Sequence, residues 1–280
     1  MCGKSELKMM IRRFEIVLKE EERSQGTIEK YVRDVEQFVE WLDEKPLTKI
    51  NVFLWKEDLV SMYQPITVNG KVAALNRFLE IVGKREFKVK SLKVQRRVFR
   101  DAKKELTKGE YEKLVGEAIR SGLERLALLM ETICATGIRV SELQYVTMKA
   151  VRDGKAEINM KGKVRVILLP GKLCRKLMKY GKKHHIREGQ IFITRNGTAM
   201  SRKQIWTEMK RLCTAVGVEA TKVFPHNLRH LFARCFYKVC HDVVRLADVL
   251  GHSSINTTRI YLISSGLEHA RTLEQLELIL

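Results

Sequence analysis

Cysteine patterns that hold metals or disulfide frameworks are absent from this chain. No Cys-x-x-Cys pair occurs, and no cysteine stands at a spacing typical of zinc ligands. Several cysteines lie in apolar surroundings of helical period, so we expect reduced core residues in a cytoplasmic protein and no bound metal. The six are Cys2, Cys134, Cys174, Cys213, Cys235 and Cys240.

Long apolar runs and cofactor motifs are also missing. The sequence has no stretch of about 18 apolar residues, and its N-terminus, MCGKSELKMM, lacks the apolar core of a signal peptide. We therefore expect no membrane partner. Gly3, Lys4 and Ser5 copy the end of a phosphate-binding loop but lack its leading glycine and preceding strand. Clustered carboxylates are absent too, so we expect no cofactor.

Negative charge is scarce relative to positive charge. Lys and Arg number 53 against 33 Asp and Glu, giving +20 at pH 7, which favours a polyanionic partner such as nucleic acid over a membrane surface or a solubilising charge coat. Residues 84–104 hold ten of these basic residues and two acids. We predict that this segment is a linker that contacts DNA phosphates. The predicted contacts are Lys84, Arg85, Lys88, Lys90, Lys93, Arg96, Arg97 and Arg100.

Helical periodicity dominates residues 1–83, which we predict to be a compact helical domain. One amphipathic helix spans 5–22, and a second begins after Ser24 or Thr27 and ends before Pro46. Two further helices are predicted at 52–62 and, with Thr67 as its cap, at 67–82.

Residues 105–280 are predicted to form a second, mixed α/β domain. Thr107 and Glu110 are spaced as a capping box, and Gly137 ends a later helix. The period changes to that of strands in 151–170, where we expect a hairpin with Lys161, Gly162 and Lys163 at its tip. A third strand is predicted at 190–194. The helices are predicted at 108–120, 123–136, from about 141, 171–184, 201–216, 225–239, 242–250, 254–263 and 266–280. The fold class is thus mainly α with a small antiparallel sheet.

Polar side chains suited to phosphate chemistry gather in the last third of the sequence. His226 and Arg229 are three residues apart, which places them on one face of a helix, and Tyr261 follows His252 by nine residues. Arg binds anionic oxygens in a fork, and His transfers protons near neutral pH. Together they indicate a set of side chains suited to phosphate chemistry.

Four sequence boxes resemble those of the tyrosine recombinases, the phage-integrase and Xer-type family. They are ATGIRVSEL (135–143), MKGKVRVILLP (160–170), PHNLRHLFA (225–233) and LGHSSINTTRIY (250–261), in the family's order and at about its separations. The resemblance covers nearly all of the second domain, and the first domain is similar to the family's core-binding domain. It implies a DNA clamp in which the two domains hold opposite faces of the duplex.

The resemblance also implies a role for each matching residue. Arg139 and Arg229 would bind the scissile phosphate. Independently of the resemblance, Arg139 at a helix start is expected to pair with Glu142, three residues later. His226 would accept the proton of the attacking Tyr261. In addition, Lys161 at the hairpin tip would protonate the leaving 5′ oxygen, and His252 would hydrogen-bond the phosphate. The hairpin loop is one residue shorter than the family pattern, so Lys163 or Arg165 is an alternative to Lys161.

The activity implied by the resemblance is site-specific DNA recombination through a covalent 3′-phosphotyrosine. A type IB topoisomerase-like nicking and closing enzyme and a catalytically silent DNA-binding relative are the alternatives. The implied partners are double-stranded DNA, a second protomer on each site and a tetramer in synapsis, and an accessory DNA-bending protein is allowed for. The implied location is the cytoplasm, at the nucleoid. The apolar stripe in 266–280 would pack on its own domain or dock into a neighbouring protomer.

Overall fold

The computed structural model describes residues 4–94, 104–160, 163–194, 196–261 and 274–275. Over these residues the chain is mainly helical with one small antiparallel sheet, which confirms the predicted fold class. The chain divides into two compact units, Met1–Arg96 and Arg97–Leu280. None of the described helices combines the length and the apolar character that a membrane span needs.

The first unit is built from four helices around one apolar core. Phe14 packs edge-on against Phe78 at 5.6 Å between ring centroids, and Phe38 packs against Trp55 at 5.2 Å. The fourth helix begins earlier than the sequence predicts, because Pro65 has a backbone φ already suited to the first helical position and Thr67 therefore lies inside the helix. The helices are α1 (Lys4–Glu20), α2 (Gln25–Leu42), α3 (Lys49–Met62) and α4 (Pro65–Ile81).

Residues 84–94, predicted as the start of a linker, belong to the first unit and pack against its helical core. Asn76 on α4 holds Val89 at two points, donating from Nδ2 to its carbonyl (2.8 Å) and accepting its N–H at Oδ1 (3.1 Å). Asn69, two turns earlier on α4, holds Leu92 in the same way (3.0 and 2.7 Å). Phe87, Val89 and Leu92 are partly buried against the core. Because this stretch is rich in Lys and Arg, the sequence analysis did not identify its apolar residues as core-packing residues.

The second unit surrounds a larger core with helices. Its first helix has the predicted capping box: Thr107 Oγ1 accepts from the Glu110 N–H (3.1 Å) and Glu110 Oε2 accepts from the Thr107 N–H (2.8 Å). Gly137 ends α6 in the left-handed conformation with φ 64°. The helices are α5 (Lys108–Arg120), α6 (Glu124–Thr136), α7 (Met148–Asp153), α8 (Gly171–Lys183), α9 (Arg202–Val216), α10 (Pro225–Cys240), α11 (Val243–Leu250) and α12 (Ile255–Arg259), with 3-10 turns at Val140–Tyr145 and Ala220–Lys222.

The sheet of the described residues is a single hairpin, with β1 (Lys155–Met160) antiparallel to β2 (Lys163–Leu168). The third strand predicted at 190–194 is wrong. That segment makes only isolated bridges, from Gln190 to Thr147 and from Ile193 to Ala199. Ile191 and Phe192 are buried, so the apolar run reflects core packing rather than strand pairing.

Candidate active site

Two helix ends and one short helix bring the candidate side chains together. Pro225 begins α10, which carries His226 and Arg229 on its first turns. Gly251 ends α11 in the left-handed conformation, with φ 62°, and His252 is the first residue after this turn. The five-residue helix α12 then leads to Tyr261.

Arg229 forms the buried centre of the site, with a relative exposure of 2%. Its Nη1 donates to the carbonyl of Gly137, and its Nη2 donates to the carbonyl of Leu250 at 2.8 Å. These carbonyls stand at the C-terminal ends of α6 and α11, where the partial negative charge of a helix favours a cation. Burial lowers the pKa of Arg229, as does the nearby positive charge of Arg139. The guanidinium is therefore fixed by the backbone rather than by a carboxylate.

Arg139 occupies the turn after α6, and its side chain is 39% exposed. Nη1 donates to Oε1 of Glu142 at 2.8 Å, and Nη2 reaches the carbonyl of Gly251 at 3.4 Å. The backbone N–H of Arg139 also donates to Glu142, at 2.9 Å to Oε2. The expected pairing of Arg139 with Glu142 is thus present, and this guanidinium remains open to solvent on one side.

His252 is hydrogen-bonded through both of its ring nitrogens. Nε2 lies 3.0 Å from Nη2 of Arg229, and Nδ1 lies 2.9 Å from Oγ1 of Thr258. A guanidinium can only donate a hydrogen bond, so Nε2 of His252 is the acceptor. Nδ1 therefore carries the ring proton and donates a hydrogen bond to Oγ1 of Thr258. Burial, and then the positive charges of the nearby arginines, lower the pKa of His252 to about 4. The ring is therefore neutral at pH 7.

Three imidazoles surround the Tyr261 ring, which is itself 3% exposed and packs with Ala233, Leu246 and Leu250. His252 stacks on it with 5.8 Å between centroids and 13° between planes, and His230 meets it edge-on at 4.4 Å. His226 lies 6.2 Å away. The phenol of Tyr261 is thus surrounded by three imidazoles. Its hydroxyl also interacts electrostatically with the Arg229 guanidinium.

The pKa of His226 is also lowered. The first cause is the loss of water around its ring, and the next is the charge of Arg229 and then of Arg139. The imidazole is consequently neutral at pH 7 and has a nitrogen lone pair available to accept a proton. Of the six predicted catalytic residues, the structure brings Arg139, His226, Arg229, His252 and Tyr261 into one site.

The three hairpin candidates for protonating the leaving oxygen are not placed in the site in the same way. Lys161 lies outside the described residues, as does the side chain of Lys163. Arg165, the other alternative, lies on β2 with its two Nη groups bonded to Leu250 and Glu142.

The sequence analysis did not single out His230. It follows His226 by four residues, and the two rings lie edge to face with 4.5 Å between centroids. Spacing of this kind on a helix brings side chains into contact, so the pattern in PHNLRH was sufficient to predict that both imidazoles share a face.

The predicted DNA contacts lie partly within the described residues. Arg85 and Lys88 pair with Glu80 at 3.2 and 3.3 Å. Lys90 and Lys93 are exposed. Lys84 is exposed too, whereas Arg96, Arg97 and Arg100 lie outside the described residues. Throughout the described ranges, no three His, Cys, Asp or Glu side chains gather in a way that could hold a metal ion.

Family models match both parts of the chain. The model described as the phage integrase family matches residues 104–266, and the one described as phage integrase, N-terminal SAM-like domain, matches residues 11–86. The tyrosine recombinase XerC of Roseiflexus castenholzii is 30% identical over 266 residues, which cover 85% of this chain and 83% of that protein. The tyrosine recombinase XerA of Thermococcus kodakarensis is 28% identical over 281 residues, covering 97% and 96%.

Solved structures of similar fold include recombinases bound to DNA. One is the XerH site-specific recombinase in a post-cleavage complex with its palindromic difH substrate, with TM-score 0.72, 20% identity and coverage of 98% of this chain and 85% of that one. Another is a lambda integrase tetramer bound to a Holliday junction, with TM-score 0.73, 20% identity and coverage of 91% and 76%.

Proposed function

The chain belongs to the phage integrase family of tyrosine recombinases, which are site-specific DNA strand transferases, and from this premise we propose that Tyr261 is its nucleophile. The observation that carries the proposal is the position of the phenol. Its hydroxyl lies beside the Arg229 guanidinium and its ring contacts three imidazoles. Such surroundings suit a group that attacks a phosphodiester and is later released from it.

The charge around the site supports phosphate binding. Arg139, Arg165 and Arg229 bring three positive charges. In the described part of the chain, Glu142 is the carboxylate hydrogen-bonded to Arg139 and Arg165, whereas Arg229 donates to the carbonyl of Leu250. The site is therefore left with uncompensated positive charge. A scissile phosphate supplies a negative charge, which grows on its non-bridging oxygens as the nucleophile approaches. Arg139 is the exposed guanidinium, and so we propose that it makes the first contact.

Each cleavage step moves two protons. The Tyr261 oxygen forms a bond to phosphorus while the bond from phosphorus to the 5′ oxygen breaks, and the phenolic proton passes to the neutral His226. The leaving 5′ oxygen takes a proton from the hairpin lysine, Lys161 or Lys163. The 3′-phosphotyrosine keeps the energy of the broken bond, so a 5′ hydroxyl from another strand can displace Tyr261 and reseal the DNA.

Burial of Tyr261 requires a movement before this attack. The phenol is 3% exposed, whereas a phosphorus atom in duplex DNA must come within bonding reach of its oxygen. Tyr261 is attached to α12, which spans only Ile255–Arg259. We propose that DNA binding shifts this short helix and turns the phenol towards the phosphate.

The active assembly is proposed to contain two protomers on each DNA site and four in synapsis. Support comes from solved structures of lambda integrase, one a dimer bound to a core site and another a tetramer bound to a Holliday junction. Because the curated relatives named above are recombinases, strand exchange is favoured over simple nicking and closing. Cytoplasmic location at the nucleoid and an accessory DNA-bending protein stay predictions, and the C-terminal stripe lies mostly outside the described residues.

A nicked duplex tests the proposal. The duplex is one that the protein selects from a random-sequence pool, with a nick near its centre so that the short cleaved fragment diffuses away and the covalent intermediate accumulates. Tyr261→Phe should bind this DNA as the unaltered protein does and form no adduct, because only the nucleophilic oxygen is lost. Tyr237→Phe removes a hydroxyl from the same cluster and should still form the adduct. An adduct in the Tyr261→Phe variant would show that another residue is the nucleophile.

A further inference from the structure

Arg165 makes two hydrogen bonds that connect β2 to the end of α11 and to the 3-10 turn at Val140–Tyr145. It lies on β2 opposite Ile158, and its side chain is 16% exposed. Nη1 donates to the carbonyl of Leu250, 85 residues later in the chain, and Nη2 donates to Oε2 of Glu142 at 3.1 Å. Both ends of the guanidinium fork are therefore occupied by protein acceptors.

The acceptors that Arg165 uses are shared with the two proposed phosphate-binding arginines. The Leu250 carbonyl also accepts from Arg229 Nη2 at 2.8 Å, and Glu142 also accepts from Arg139 Nη1 at 2.8 Å. Arg165 is thus joined to each of these residues through one intervening acceptor. A change in its position is transmitted directly to the carbonyl and the carboxylate that hold them.

Gly251 fits closely around this contact. A Cβ atom at residue 251 would lie 2.6 Å from Arg165 Cδ, nearer than carbon atoms approach without a bond. The same residue has φ 62°, a conformation that glycine adopts freely. The turn between α11 and His252 is accordingly shaped to receive the Arg165 side chain.

From these contacts we infer that Arg165 is a positioning residue for strand cleavage: it fastens β2 to the end of α11 and thereby holds His252, which follows α11, in place beside Arg229 and Tyr261. This inference rests on the proposed role of Tyr261 and the residues around it. Arg165 does not need to touch the DNA to act. Its occupied donors also make it a poor alternative to Lys161 as the source of the leaving-group proton.

The charge of Arg165 gives this role a separate signature in the titration of His252. The groups facing His252 are Arg229 and His226 from α10, Arg139 from the turn after α6, and Arg165 from β2. Its own segment adds Thr258 and the stacked ring of Tyr261. Removing one of three nearby positive charges must raise the pKa of His252, whereas exchanging Arg165 for lysine keeps a positive charge on the same strand.

Two substitutions separate position from charge. Arg165→Gln removes the charge and the fork, and Arg165→Lys keeps the charge but cannot bond two acceptors in a fixed plane. Arg175→Gln, an exposed arginine on α8, is the control. The readouts are the His252 pKa, measured by NMR on the DNA-free protein, together with DNA affinity and the rate of adduct formation on the nicked duplex.

We expect both Arg165 variants to form the adduct at least about tenfold more slowly than the unaltered protein, with DNA affinity changed by less than about threefold, because misplacing a catalytic group lowers the rate rather than binding. The His252 pKa should rise in Arg165→Gln and stay low in Arg165→Lys. Should Arg165→Gln fail to fold, the slowed adduct formation of Arg165→Lys, with the His252 pKa kept low, carries the test.

An unchanged rate in the Arg165 variants, or a rate that falls only in proportion to DNA affinity, overturns the inference. An unchanged His252 pKa in Arg165→Gln overturns it too. If the unaltered protein forms no adduct, the proposed function fails instead, and the His252 titration still reports whether Arg165 acts on that ring.

Discussion

Glu142→Gln is the substitution whose cost follows most directly from the structure. The Glu142 carboxylate is 3% exposed and accepts three hydrogen bonds: from the Arg139 N–H at 2.9 Å, from Arg139 Nη1 at 2.8 Å and from Arg165 Nη2 at 3.1 Å. Glutamine keeps the shape but has one acceptor oxygen, so its NH₂ group must face a donor. The negative charge that balances a buried guanidinium is also lost.

The expected cost is dominated by the pair with Arg165. Breaking a buried ion pair from one side costs about 3–5 kcal/mol, and Arg165 at 16% exposure approaches that case. Arg139 is 39% exposed, so solvent screening limits its pair to about 1 kcal/mol or less. Relaxation of Arg139 into water offsets part of the loss. We therefore expect Glu142→Gln to lower the free energy of unfolding of the second unit by about 3 kcal/mol.

Hydrogen exchange of α10 amides in increasing urea measures this quantity for the second unit alone. Glu157→Gln is the matched control, because Glu157 is 63% exposed and its pair with Lys155, at 3.2 Å, is a surface pair. Its loss should cost less than about 1 kcal/mol. If Glu142→Gln costs no more than Glu157→Gln, the buried carboxylate does not hold the arginines together and the reasoning is refuted.

Three other predictions concern the first unit, pH and DNA affinity. Asn76→Ala should speed hydrogen exchange of the Val89 amide, measured by NMR, since it removes the side-chain oxygen that accepts from this amide. The same exchange rate in the variant and the unaltered protein would contradict the role of Asn76 in holding residues 84–94. The pKa of His252, lowered to about 4 from an ordinary 6.5, predicts that its contribution to stability is complete above pH 6.5 and is lost as the pH falls towards 4. His252→Gln should flatten urea stability over this window, and an unaltered pH profile would contradict the assignment. Lys90→Gln should reduce the slope of log affinity for DNA against log salt by about 0.9, whereas Arg85→Gln, already paired with Glu80, should change it less; equal slopes in all three proteins would remove Lys90 from the interface.

Local patterns were sufficient to predict most of the helices. Apolar residues at helical spacing predicted the elements observed as α1 to α4, and Thr107 with Glu110 predicted the start of α5. The segment 190–194 was misjudged because a short apolar run is equally compatible with a strand and with core burial. The docking of residues 84–94 was missed because its partners, two asparagines on α4, are polar residues with no helical signature of their own.

The site was only partly predictable. His226 and Arg229 are close in sequence, so helical spacing placed them together. In contrast, the contact of Arg165 with Leu250 joins residues far apart in the chain, and it depends on how the hairpin packs against α11. The burial of Tyr261 has the same origin, since the residues that cover it come from α10 and α11. Such long-range contacts have no periodic pattern in the sequence.

The central claim is that the Tyr261 oxygen forms the bond to DNA, and mass spectrometry of the trapped adduct tests it most directly. The adduct formed on the nicked duplex is digested with nuclease and protease, and the peptide that retains a nucleotide is sequenced. We predict a 3′-linked nucleotide on Tyr261. A nucleotide found on any other residue would contradict the account.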